Sequence, residues 1–137
     1  MIVVDTNVIS YLFIAGPFSD LAKRAAKADD WCAPLLWRSE FRNVLTFYMR
    51  HKSMPEEEAQ SLMNLAEIQF WGREFAVQSP AVLSLASQSK RSAYDCEFIA
   101  LAQALGLKLV STDGPVVAEF PETAIHLEDY VASKQSK

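Results

Sequence analysis

Two short apolar runs each stop at an acid: Ile2-Val3-Val4 at Asp5, and Leu109-Val110-Ser111-Thr112 at Asp113. Runs this short and this rich in β-branched residues read as buried strands. Trp31-Cys32-Ala33-Pro34, Phe75-Ala76-Val77 and Ala124-Ile125-His126-Leu127 read as further strands, each separated from the next by sequence with helical spacing. A chain that alternates in this way along its length buries both faces of a sheet under helices. The predicted fold is therefore α/β: one domain with a mostly parallel central sheet flanked by helices. It is expected to span residues 1–131, with residues 132–137 a polar, frayed C-terminal tail.

The helices carry their own punctuation. Ser19 reads as the cap of a helix with Lys23, Arg24 and Lys27 on its wet side. From Leu35 to about His51, Trp37, Phe41, Val44, Leu45 and Tyr48 form a core-facing stripe. Ser53 with Glu56 has the spacing of a capping box, with Pro55 in the first turn of the next helix. Ser79-Pro80 opens a helix to about Ser89, and Asp95 begins one that ends at Gly106, a residue suited to a left-handed cap. Asp113-Gly114-Pro115 breaks the chain before a short helix around Val116 to Glu119.

Composition excludes several classes. With 50% hydrophobic and 22% charged residues, the chain has material for a core and is not disordered. Its longest nearly apolar stretch, Phe98 to Val110, is too short to span a membrane and is broken by Gln103 and Lys108. Asp5 and Asn7 interrupt the apolar start and no basic segment precedes it, so no secretory signal is read and a cytoplasmic location is expected. Cys32 and Cys96 are too few and too distant for a disulfide framework and read as reduced thiols. The net charge of −4 argues at first against an anionic partner. If four acids are withdrawn into one site, however, the remaining 13 acids balance the 13 basic residues, and nucleic acid stays admissible.

In open parallel sheets, ligands bind beyond the carboxyl ends of the strands. Asp5 and Asp113 sit there, although each also reads as a helix cap or turn residue. Glu40 lies at the edge of its helix's apolar stripe, facing inward or pairing with Arg38 or Arg42. Asn43 shares that face and is a candidate to orient a carboxylate. Asp95 reads as an N-cap, a role compatible with holding a cation; Glu97, turned well around the helix, is left outside the inner set. Carboxylates gathered in one cleft repel: one pair at ~5 Å and an effective dielectric of ~20 costs about 3 kcal/mol. Such a cluster needs cations, and hard oxygen donors without His or Cys suit Mg²⁺ or Mn²⁺. Ions of that kind favour phosphate oxygens, so the chemistry indicated is metal-assisted hydrolysis of a phosphodiester.

Four segments now meet a known pattern. Met1-Ile2-Val3-Val4-Asp5-Thr6-Asn7-Val8, Ser39-Glu40-Phe41-Arg42-Asn43-Val44-Leu45, Tyr94-Asp95-Cys96-Glu97-Phe98-Ile99-Ala100-Leu101-Ala102 and Leu109-Val110-Ser111-Thr112-Asp113 resemble the PIN-domain ribonucleases, and among them the small VapC-type toxins of bacterial toxin–antitoxin pairs. The resemblance covers nearly the whole chain in order. It implies an endoribonuclease dependent on Mg²⁺ or Mn²⁺, with an acidic quartet of Asp5, Glu40, Asp95 and Asp113 as catalytic and metal-binding residues. It also implies supporting hydroxyls at Thr6 and Ser111, with serine standing where threonine is commoner. RNA as substrate, a cognate antitoxin as partner and a homodimer follow from the same likeness.

Other readings remain open. Trp37, Phe41, Phe47, Phe70 and Trp71 read as core and interface before base-stacking platforms, and Lys90 and Arg91 as a phosphate contact or a solvated loop. His51 and His126 receive no catalytic role. A phospho-acceptor fold would want a second aspartate two residues after Asp5 and a lysine in place of Asp113, and has neither. The alternative from another class is a catalytically inactive PIN-fold module that only binds RNA or protein.

Overall fold

The computed structural model describes residues 1–135. Five parallel strands form one sheet in the order β3-β2-β1-β4-β5: β1 (Ile2–Val4), β2 (Trp31–Pro34), β3 (Glu74–Phe75), β4 (Leu109–Ser111) and β5 (Ala124–His126). Eight helices among the described residues connect and flank them: α1 (Thr6–Phe13), α2 (Ser19–Ala28), α3 (Leu36–His51), α4 (Glu56–Gln69), α5 (Ser79–Ser87), α6 (Ala93–Leu105), α7 (Gly114–Glu119) and α8 (Leu127–Gln135). The expected α/β fold with a parallel sheet is therefore the one observed.

The sheet is narrow because its strands are short, and β1 and β4 are wholly buried. Val3 and Val4 pair in register with Leu109 and Val110. These four, with Val8, Ile9 and Ile99, make the dry centre of the core; burying each such side chain contributes about 1.5–3 kcal/mol. From β1 the chain winds outward through β2 to β3, then returns to the other side of β1 to add β4 and β5. The strand order therefore reverses between β1 and β4, where an open α/β sheet leaves a crevice at its carboxyl edge.

A second anchor holds α3 in place. Glu74, in β3, accepts hydrogen bonds from the Trp37 indole (2.7 Å) and from the Arg38 guanidinium (2.6 and 2.9 Å). This fork from Arg38, with the Trp37 bond in support, holds the Glu74 carboxyl below its ordinary pKa. Trp37 packs its ring on Phe70 at 4.8 Å between centroids. The sheet edge, α3 and the end of α4 are thus tied to one another.

Several sequence expectations shift. Ser19 is the first residue of α2 and not its cap: its Oγ accepts from the Gly16 amide and donates to the Ile14 carbonyl, which closes the preceding turn. The capping box does not form, because Ser53 takes a left-handed φ of 56° and Pro55 stands at the N-cap position without a side-chain bond. The third strand is Glu74–Phe75, earlier than Phe75-Ala76-Val77. The helix of Asp95 starts two residues before it and is capped by Ser92. Residues 132–135, assigned to a frayed tail, continue α8, which buries Leu127, Tyr130 and Val131; residues 136–137 lie outside the described residues. Trp37, Phe41 and Phe70 are core, whereas Phe47 and Trp71 are exposed.

Gly106 ends α6 at φ 65°, and a Cβ built there meets nothing within 4 Å. Gly106→Ala therefore costs backbone conformation alone: about 1 kcal/mol of unfolding free energy, to be read from urea titrations with an unchanged m-value.

Candidate active site

Asp5 is the residue after β1 and also the cap of α1, its Oδ1 accepting from the Val8 amide at 3.1 Å. Asp113 repeats the arrangement after β4, with Oδ1 accepting from the Val116 amide at 3.2 Å as the cap of α7. The cap and crevice readings, alternatives in the sequence, therefore hold together for both. Each acid spends one oxygen on a helix start.

Past the last pair of the β1–β4 register, Val4 with Val110, the Asp5 amide donates to the Val110 carbonyl at 3.4 Å, which brings Asp5 next to Ser111. The buried Ser111 hydroxyl hydrogen-bonds to the Asp5 carboxylate and accepts from the Asp113 amide at 2.9 Å, joining the two acids. Thr6, also buried, donates to Glu40 Oε1 at 2.6 Å and ties the start of α1 to α3. On α6, Asp95 lies in the first turn, where the helix N-terminus favours an anion. The Tyr11 hydroxyl and Thr112 Oγ1 lie 3.0 Å apart, fastening α1 to the loop that carries Asp113.

Asp5, Glu40, Asp95 and Asp113 thus line one cleft of about 110 Å³ with Thr6, Asn7 and the apolar floor of Phe98, Leu109 and Val116. Asn43 does not join them. It is exposed, because three residues of helix carry it about 4.5 Å up the axis from Glu40. Arg91 is already engaged, its Nε 2.6 Å from Glu119 Oε2, and its charge lowers the Asp95 pKa from a distance. Cys32 and Cys96 are buried with thiol pKa values raised, chiefly by burial, which suits neither for nucleophilic work.

Burial and mutual repulsion dominate the electrostatics. Burial pushes the Asp5 carboxyl up to about 6, Asp113 and Asp95 adding to the rise, and the Ser111 and Val8 donors oppose it. Glu40 is raised by burial and by Asp95 and Glu97, against the Thr6 bond. Asp95 is raised by burial and by Asp113. Glu97 is raised by burial. It stands close enough to Glu40 to repel it, yet lines the neighbouring groove. The sequence reading left out Glu97 and Asn7; nothing in a periodicity marks a residue whose place depends on the neighbouring loops.

The donors are all hard oxygens, which suits Mg²⁺ or Mn²⁺. Among the described residues no three His, Cys, Asp or Glu side chains close on one point as a cage. An open set of this kind fits a cation that keeps most of its own water and takes only one or two direct carboxylate bonds.

A family model, described as PIN domain, matches residues 2–122. The chain is 29% identical over 126 residues to Ribonuclease VapC3 of Pyrobaculum aerophilum, covering 88% of this chain and 95% of that one. The fold is similar to the crystal structure of PAE2754 from the same organism, with a TM-score of 0.78 and 19% identity over 98% of this chain and 89% of that one. It is also similar to a chain of a toxin–antitoxin complex from Klebsiella pneumoniae, with a TM-score of 0.70 and 20% identity over 93% and 98% of the two chains.

A carboxyl raised in the fold binds its proton more tightly folded than unfolded, so stability is full below the unfolded value and falls as pH rises from about 4 to about 6. Asp5→Asn keeps the cap and removes the charge. With chelator present, the variant should be more stable than the parent at pH 7.5, by up to about 3 kcal/mol, and the two should converge towards pH 4; urea titrations across that range check it.

Proposed function

The chain belongs to the PIN domain family, and from that premise we propose that it is an endoribonuclease, dependent on Mg²⁺ or Mn²⁺, that acts as the toxin of a bacterial toxin–antitoxin pair. The observation that carries the reading is the gathering of Asp5, Glu40, Asp95 and Asp113 at the strand-order reversal, in a cleft where their charges stand unneutralised. A fold that tolerates this cost at its most buried polar site gains nothing in stability from it, which is the mark of a functional site. The name of the Pyrobaculum relative supports RNA as substrate, and the Klebsiella complex supports an antitoxin as partner.

In this reading the carboxylates of Asp5 and Asp113, with Glu40 and Asp95, would hold a hydrated divalent cation. When bound, that ion supplies a positive charge for the scissile phosphate and lowers the pKa of water. The protein does the rest. Ser111 and the Val8 amide fix Asp5 in one rotamer, and the Val116 amide does the same for Asp113. Thr6 holds Oε1 of Glu40, which lines the cleft and would accept a proton from attacking water through its carboxylate; burial raises the basicity of that carboxylate. Phe98, Leu109 and Val116 close the floor against bulk water.

The same reading places the protein in the cytoplasm; among the described residues no helix is long and apolar enough to cross a membrane. Antitoxin binding and homodimer formation belong to it as well. Phe47, Leu65, Ile68 and Trp71, exposed along the α3–α4 hairpin and the turn after it, supply apolar surface for such contacts.

Purified protein should cut a structured RNA pool with Mn²⁺ or Mg²⁺ and not with chelator. Asp5→Asn and Asp113→Asn should each lower the cleavage rate more than about 100-fold, and Thr6→Val, which removes only the orienting hydroxyl, about 10-fold. Cleavage by the aspartate variants at the parent's rate would leave the inactive binding module as the better account.

A further inference from the structure

Beside the acidic cleft lies a larger groove of about 350 Å³, and its position follows from the sheet. The cleft opens past β1 and β4; the groove opens past β2 and β3, lined by Leu35, Phe75, Val77, Val82, Leu83 and Glu97. The two centres are about two strand spacings apart, ~10 Å, the reach from a phosphate to the base on a neighbouring sugar. The wall is apolar save for Ser79 and one charged group. Glu97 is half-buried in it and makes no hydrogen bond or ion pair among the described residues, whereas Glu74 nearby is held by three donors. A carboxylate stripped of water without a donor is costly to keep.

We infer that this groove is a base-reading subsite, and that Glu97 selects guanine at a position flanking the cut. The inference rests on the endoribonuclease reading for its place in a reaction. Single-stranded RNA is read by stacking bases on apolar surface and bonding their Watson–Crick edges. A carboxylate offers two acceptors side by side. Guanine presents two adjacent donors, N1–H and N2–H, which match both; adenine and cytosine present one amino donor beside an acceptor. Uracil presents N3–H between two carbonyls, which repel the carboxylate. The groove is three times the size of the cleft and has room for a bicyclic ring against Phe75 and Leu83. A lone cationic head group from a protein partner would satisfy Glu97 but leave most of the apolar wall uncovered. Glu97 sits two residues after Asp95 on α6 and close enough to repel Glu40, so whatever it holds is placed against the acids of the cleft.

The test is cleavage of an RNA pool carrying a randomised segment, with Mn²⁺ and the full chain, followed by sequencing of the new ends. One position flanking the cut should favour guanine over uracil by about tenfold or more, and Glu97→Gln should bring that ratio down to about twofold or less. The ratio is internal to each reaction, so it does not depend on how much of the variant is folded. A flat profile in the parent, or an unchanged ratio in Glu97→Gln, overturns the inference and leaves the nuclease standing. Absence of any cleavage overturns the nuclease instead, and a second measurement then decides the subsite: methyl NMR of Val77 and Leu83 titrated with GMP and with UMP. Shifts with GMP alone that vanish in Glu97→Gln support guanine. Shifts with neither nucleotide, or only with a lysine- and arginine-rich peptide, overturn it and assign the groove to a protein partner.

Discussion

The pairing of β1 with β4 is the contact on which the rest of this molecule depends. Two residue pairs, Val3 with Leu109 and Val4 with Val110, fix the register between segments that lie at opposite ends of the chain. That register sets Asp5 beside Ser111, and Ser111 in turn holds the Asp113 amide. A slip by one residue would turn the valines out of the core and the acids out of the cleft together. Function and core packing are therefore secured by the same few hydrogen bonds and the same buried methyl groups.

The acids are tolerated because the fold spreads their cost. Asp5 and Asp113 each satisfy a helix start that would otherwise need another cap, and Glu40 takes the Thr6 hydroxyl, which would otherwise be a buried unpaired donor. What remains uncompensated is their mutual repulsion and lost hydration, visible in the raised carboxyl pKa values of Asp5, Glu40 and Asp95. A core of buried aliphatic and aromatic side chains, with Trp31, Trp37, Phe41 and Phe70 fully enclosed, can carry that load.

Legibility in the sequence followed the physics of each element. The strands around Ile2 and Leu109 were legible because a buried strand must be apolar throughout, and the acids ending them because nothing else at a strand's end is so polar. Glu40 was legible from its place on the stripe of α3. Asn43 was misplaced because spacing gives the angle around a helix but not how far the cleft extends along it. The capping signature at Ser53 failed because the left-handed turn there brings Pro55, and not Ser53, to the start of α4. The last helix was hidden in a polar stretch whose few apolar residues find partners only in the folded chain. Glu97 carries no local mark: its groove is assembled from the ends of β2 and β3 and from α5.

Three successive residues of α6 face three different surroundings: Asp95 the acidic cleft, Cys96 the closed core, and Glu97 the apolar groove. Each step along a helix turns by about 100°, so this short stretch works as an angular index, with the small buried thiol as its fixed mark. A rotation of α6 about its axis would carry both carboxylates out of their pockets by the same angle. Insertion or deletion of a single residue in that first turn would turn each carboxylate by about 100° and out of its own pocket. Side-chain changes can retune either pocket separately, but the phase of this helix is a property that both share and neither can alter alone.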